Sequence, residues 1–273
     1  MSLPSTPIAW ANRLSAVLTA TLGNERFPVD VEQLAIEYTR QVFDDPVTKV
    51  IGEPLDEFEG ALFPSPSGKP RWLIAYNSAL TSGGRIRYTQ AHELGHYLLH
   101  RKPGQSIRCR AHDMLIWDAA YQRREAEANQ FASYLLMPMD DFRRQVDGQA
   151  IDLALLGFCA DRYGVSLAAA ILKWLEFTPE FAVLVVSCDG FIEWASSSKP
   201  ALRKGAFFRT RNRPPIPVPE GTLATQPSGY LNPDCMDHPC GVWFRSFAAT
   251  EFAVISERYE MALSLLLLRE GQA

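Results

Sequence analysis

Two histidines four residues apart, with a glutamate directly after the first, stand in "YTQAHELGHYLLH", Tyr88 to His100. On a helix, residues four apart are turned by about 400°, so His92 and His96 project from nearly one direction and can reach one ion. Glu93 sits off that line, beside the ion, where a carboxylate can accept a proton from water. Zinc favours tetrahedral nitrogen, sulfur and oxygen donors, and its catalytic sites use three protein ligands and leave a water whose pKa falls toward ~7. The chemistry on offer is hydrolysis of a carbonyl compound. The competing reading is a fortuitous motif on a structural helix, which the scarcity of histidine, five in 273 residues, disfavours.

A third ligand is needed. His100 does not have the spacing of a third histidine placed after a glycine turn, and it reads as a solvated helix end. The candidate is Glu125 in "EAEAN", which shares a helix face with Asn129 one turn later. That spacing lets Glu125 ligate while Asn129 hydrogen-bonds the other ring nitrogen of a ligand histidine and fixes its orientation. Glu127 points about 160° away from Asn129 and reads as solvent-facing or capping. Histidine and carboxylate ligands suit zinc but also accept manganese, iron or cobalt. Tyr88 and His112 are both open as groups that stabilise an oxyanion.

Elements must bring these residues together. Residues 8 to 40 read as two helices, the second N-capped by Asp30, and residues 41 to 76 as short extended pieces, "VTKVIGEP", "EGALFPS" and "PRWLIAYN". The metal-motif helix lies between a glycine pair and Pro103-Gly104. A second long helix, "YQRREAEANQFASYLLMP", ends near Pro138 and buries Ala128, Phe131, Ala132 and Leu135. "IDLALLGFCADRYGVSLAAAILKWLEFT" predicts helix, turn at Gly164, helix. After Pro179 the texture changes to a hairpin turning at Asp189-Gly190, a Pro-rich loop, further β-like sequence and a terminal helix over "MALSLLLL". The fold class is therefore α+β, in three parts: residues 1–140 with the metal motif, a helix-turn-helix-like segment over 141–178, and a C-terminal α+β domain over 179–273.

"RYTQAHELGHYLLH" followed by "EAEANQFASYLLMP" resembles the ImmA/IrrE family of metallopeptidases, and "FPVDVEQLAIEY" and "LIAYN" resemble the family's helix and strand upstream. The resemblance implies a gluzincin-like zinc domain in which His92, His96 and Glu125 hold the metal and Glu93 is the catalytic base, the same four that spacing proposes. It also implies the substrate, a helix-turn-helix transcriptional repressor whose cleavage releases stress-response or mobile-element genes. The longer, IrrE-like members carry a helix-turn-helix-like segment and then a GAF-like sensory domain, an order that this chain's length and textures resemble. A regulator that binds a repressor or DNA without cutting it is the alternative.

Bulk properties narrow the partners. The net charge of −4 argues against a protein whose affinity comes from neutralising phosphates. Within the helix-turn-helix-like segment, residues 152 to 177 carry Arg162 and Lys173 against Asp152, Asp161 and Glu176, so direct DNA contact by them is not expected. "LRKGAFFRTRNR" holds five basic residues and two phenylalanines, and reads as a solvated loop with Phe207 and Phe208 anchored in a core. "CMDHPC" lacks the paired spacing of a zinc ribbon, and nothing around Cys188 establishes a reactive thiol. An odd, scattered set of five cysteines, no signal peptide and no apolar run near the about 20 residues of a membrane span point to the cytoplasm and to no membrane partner.

Overall fold

The computed structural model describes residues 3–55, 58–65, 68–102, 104–109, 119–226, 235–256 and 260–271. Among them are eight α-helices and two sheets, a mixed α+β architecture. The chain divides into two compact units, Met1–Asp147 with Cys159–Ser166, and Gly148–Phe158 with Leu167–Ala273.

The first unit opens with α1 (Pro7–Leu22) and α2 (Val31–Val42). Asp30 caps α2 by accepting from the Gln33 amide at 2.9 Å, which satisfies one of the orphan donors of the first turn. Four strands follow in the order β1-β3-β2-β4: β1 (Val47–Glu53), β2 (Gly60–Pro64), β3 (Trp72–Asn77) and the short β4 (Ile107–Cys109). β1 runs parallel to β3, and β2 antiparallel to β3 and β4. The helices α3 (Gly83–His100), α4 (Ala119–Leu136) and α5 (Met139–Val146) complete the unit.

α3 is the central element, packed against β2 and β3 and against α4. Every residue from Thr89 to Leu98 is therefore buried, polar ones included. α4 presents Ala128, Phe131, Ala132 and Leu135, all fully buried as their spacing predicts. Burying a phenylalanine or leucine side chain is worth roughly 1.5–3 kcal/mol, so this face alone fixes α4 firmly. A chain of aromatic contacts, Trp10 to Phe43, Phe43 to Tyr97 and Tyr97 to Trp72, ties α1, the end of α2, α3 and β3 into one core.

A buried carboxylate holds the end of this unit. Asp141 on α5 accepts from Tyr163 Oη at 2.7 Å, Arg162 Nε at 3.0 Å and Arg144 Nη2 at 3.2 Å. Burial opposes its charge, yet Arg162 and Tyr163 outweigh burial and keep its pKa below the ordinary value. Asp141→Asn should lower unfolding stability by about 2–3 kcal/mol, the range for charge-assisted hydrogen bonds, in urea titration at neutral pH. Because the folded pKa is depressed, the contribution is full above the unfolded value of ~3.9 and is lost as pH falls through the folded one. A variant with wild-type stability at pH 7 would show the network to be energetically idle.

α6 (Leu153–Tyr163) and α7 (Leu167–Leu175) form the expected pair around Gly164, whose φ of +60° suits glycine. Neither cation counted on the pair faces solvent unpartnered: Arg162 binds Asp141, and buried Lys173 lies 3.0 Å from Glu176.

The second unit carries a six-stranded antiparallel sheet in the order β7-β6-β5-β10-β9-β8. Its strands are β5 (Ala182–Cys188), β6 (Phe191–Ser197), β7 (Ile216–Pro217), β8 (Met236–His238), β9 (Phe247–Ser256) and β10 (Met261–Glu270), with the short helix α8 (Lys199–Arg203) after β6. Asp189 and Gly190 turn the β5–β6 hairpin with φ of 50° and 77°, as the Asp-Gly pair predicts. Of the two phenylalanines expected to anchor the basic stretch, Phe208 packs against the core of this unit, while the Phe207 ring lies under Arg209 at 5.3 Å.

The terminal helix expected over "MALSLLLL" is instead strand β10. It pairs with β5 on one side and β9 on the other, and so occupies an interior position of the sheet. A continuous apolar run lacks the alternation that marks a half-buried strand, and leucine's helix propensity misleads when burial on both faces decides. Next to it, Glu251 is fully buried and accepts from His238 Nε2 at 2.8 Å, Ser264 Oγ at 2.7 Å and the Leu223 amide at 2.9 Å. His238 of "CMDHPC" is thus committed to a carboxylate, while Cys235 and Cys240 are exposed.

Candidate metal centre

Small residues set the distances at which α3 meets its neighbours. A Cβ at Gly95 would lie 2.9 Å from Phe131 Cδ1 and 3.3 Å from Ala128 Cα, so the glycine inside "HELGH" lets α3 and α4 approach closely. That approach carries Glu125 to the histidines. At its C-terminal end α3 is anchored by Arg101, whose Nε lies 2.9 Å from Asp45 Oδ2, while Asp45 also accepts from Trp72 Nε1 at 3.0 Å.

His92, His96 and Glu125 converge, with donor atoms all within 4.8 Å of one another, the only such group of histidine, cysteine or acidic residues among the described residues. His92 Nε2 and His96 Nε2 are 3.0 Å apart, and the Glu125 carboxylate oxygens lie 3.2 Å from the first and 3.3 Å from the second. Asn129 Oδ1 is 2.9 Å from His92 Nδ1, the contact that the spacing of Glu125 and Asn129 predicts. An amide oxygen can only accept, so His92 donates from Nδ1, and Nε2 is the ring nitrogen it turns inward. Lone pairs of two imidazoles and a carboxylate facing one another fit a divalent cation, and the buried Glu125 Oε1 has no hydrogen-bond donor.

Charge at the site follows from burial and proximity. Burial opposes the charge on Glu125, but His92 and His96 more than offset it and hold its carboxyl at about 2. Burial pushes His96 down to about 4. For His92 burial acts in the same sense, but Glu125, Glu93 and Asn129 overcome it and raise its pKa. Beside His96 and Glu125 lies a cavity of about 140 Å³, lined also by Ser106, Ile107, Tyr121 and Arg124.

Residues 44–175, from the loop before β1 to the end of α7, match the family model described as the IrrE N-terminal-like domain, peptidase M78. Over these residues the chain is similar to the IrrE N-terminal-like family. Among solved structures, a Mycobacterium tuberculosis transcriptional regulator shares the fold over 96% of this chain and 75% of its own, with a TM-score of 0.52 and 14% identity. No curated protein matches the sequence.

Within the IrrE-like domain Glu93 is fully buried against β2. A Cβ at Gly60 would come within 2.6 Å of both Glu93 Oε1 and Thr89 Cγ2, so the absent side chain of Gly60 makes the space in which the carboxylate sits. Gly60→Ala should displace Glu93 while sparing His92, His96 and Glu125. We expect zinc binding to persist and any hydrolytic activity to fall by at least about 10-fold, a misplacement effect of the kind that costs up to ~10²-fold. Equal activity in the variant would show that Glu93 does not depend on this cradle.

Two sequence expectations for the IrrE-like domain need correction. His100 is not a solvated helix end: its side chain is 6% exposed, with Nε2 2.9 Å from Glu127 Oε2 and Nδ1 3.0 Å from His96 Nδ1. Glu127 is accordingly not simply turned to solvent, since it bridges His100 and Arg123 Nε, the latter at 2.9 Å. The signal was present in the four-residue ladder His92, His96, His100, but only the packing of α4 shows what faces its last rung. Tyr88 donates from Oη to Asn129 Oδ1 at 2.7 Å, and burial pushes its pKa up to about 12. It thus steadies the amide that holds His92. His112 lies outside the described residues.

No helix among the described residues is long and apolar enough to cross a membrane.

Proposed function

We propose that the protein is a zinc-dependent endopeptidase that cleaves a helix-turn-helix transcriptional repressor, relieving repression of stress-response or mobile-element genes. The observation that carries this reading is the convergence of His92, His96 and Glu125 on one point, in a family described as peptidase M78. His92 and His96 would hold the ion through Nε2 and Glu125 through its carboxylate. When bound there, zinc supplies Lewis acidity toward the peptide carbonyl and makes water acidic enough to lose a proton near pH 7. Glu93, kept from bulk water by β2, takes the proton of the attacking water and returns it to the leaving amine. Asn129 keeps the His92 ring in its ligating orientation, and the cavity bounded by Ile107 and Tyr121 would receive substrate side chains.

The second unit fits a sensory α+β module of GAF-like kind, supported by its own sheet and buried core. Cys159, Cys188, Cys235 and Cys240 are free thiols, which supports a cytoplasmic setting, and burial raises the pKa of Cys188, which argues against a reactive role. Likeness in fold to a protein named as a transcriptional regulator supports the second reading, a non-proteolytic regulator binding a repressor or DNA.

Incubation with a helix-turn-helix repressor from the same genome, with zinc or manganese added back after chelation, separates the two. Metal-dependent appearance of repressor fragments is expected. Stable complex formation with the repressor intact would overturn the protease reading in favour of the regulator.

A further inference from the structure

We propose that His100 is a positioning residue for the metal centre, and that Glu127, His100 and His96 form a hydrogen-bonded relay which fixes the ring nitrogen that His96 presents. The inference deepens the metal-site reading above and rests on it.

The relay follows from counting protons. Glu127 is an anion that already accepts from Arg123 Nε at one oxygen, and its other oxygen lies 2.9 Å from His100 Nε2. A carboxylate can only accept, so the proton of a neutral His100 is on Nε2 and its Nδ1 is a lone pair. That lone pair is 3.0 Å from His96 Nδ1. Two bare nitrogens cannot hydrogen-bond, so His96 donates from Nδ1 and, with a cation between the facing Nε2 atoms, presents a bare Nε2 to it. Nε2 is the atom that meets His92 Nε2 and Glu125. The opposite tautomer of His100 would set N–H against N–H and drive His96 toward the form that cannot ligate.

The two ligand histidines are thereby oriented by different devices. His92 leans on a neutral amide, Asn129, whereas His96 leans on an imidazole backed by a carboxylate. Outer partners of ligand histidines fix ring orientation and raise ligand basicity. Burial suits the role, because the His100 side chain is 6% exposed and water does not readily replace it as the acceptor for His96.

The test uses the full chain loaded with zinc, with affinity read by chelator competition and folding by thermal melting. His100→Leu removes the acceptor and should weaken zinc binding by about 10–100-fold, the usual range for loss of such a partner. His100→Gln supplies an amide oxygen that can accept from His96 Nδ1, and should recover most of that loss. In ¹⁵N-histidine spectra of the wild type, His96 should be protonated on Nδ1 and His100 on Nε2. The proposal is overturned if His100→Leu binds zinc as tightly as wild type, if His100→Gln is as weak as His100→Leu, or if His100 carries its proton on Nδ1. The first of these results leaves the metal centre standing. A wild-type chain that takes up no zinc overturns the metal centre and the relay together.

Discussion

On the proposed mechanism, Glu93→Gln should retain zinc and lose repressor cleavage by about 10²–10⁴-fold, the contribution of a general acid–base group. The substitution keeps shape and volume in the space left by Gly60, so α3 and the ligand set should not move. What changes is that an amide cannot take a proton from water. The charge of the carboxylate also acts on the site, contributing to the raised pKa of His92. Metal content by elemental analysis and single-turnover cleavage of the repressor, on the same sample, check the two halves of the expectation. Cleavage at the wild-type rate would remove Glu93 from the mechanism, whereas loss of zinc would assign it to the ligand set.

On the proposed ligand set, Glu125→Ala should empty the site. Two imidazoles remain, each still oriented from behind, but the only anionic donor of the three is gone. We expect zinc affinity to fall by more than about 100-fold, beyond the range seen when an outer-shell partner is lost. Wild type with zinc at ~1,000 times its Kd gains about 4 kcal/mol of apparent stability by mass action, and this gain should vanish in the variant. The readout is the difference in melting temperature with and without chelator. If Glu125→Ala keeps that difference, another donor completes the site and the ligand assignment is wrong.

The candidate metal centre is unusually legible in the sequence because its parts obey helical spacing. His92 and His96 are one turn apart on one helix, and Glu125 and Asn129 one turn apart on another. A four-residue interval fixes direction without knowledge of the fold. Both expected pairings, Glu125 with the histidines and Asn129 with His92, are found. Helix ends were readable for a similar reason, since Asp30 and Pro138 act on backbone groups within a few residues.

What spacing could not supply is the identity of whatever lies across from a side chain. His100 has the same interval from His96 as His96 from His92, yet its burial against Glu127 depends on how closely α4 approaches. Gly60 reads as an ordinary strand glycine until β2 is laid over Glu93. "MALSLLLL" became a strand because β9, just before it in the chain, and β5, far back along it, each offered an edge to pair with, and those backbone hydrogen bonds outweigh local preference. The sequence by itself therefore determined the donor types, their directions along each helix and the α+β texture, all of which follow from interactions within a turn or two. The tertiary structure alone decided which helix faces meet, which polar groups are kept from water and which apolar run is sheet interior, because burial is a property of two surfaces brought together.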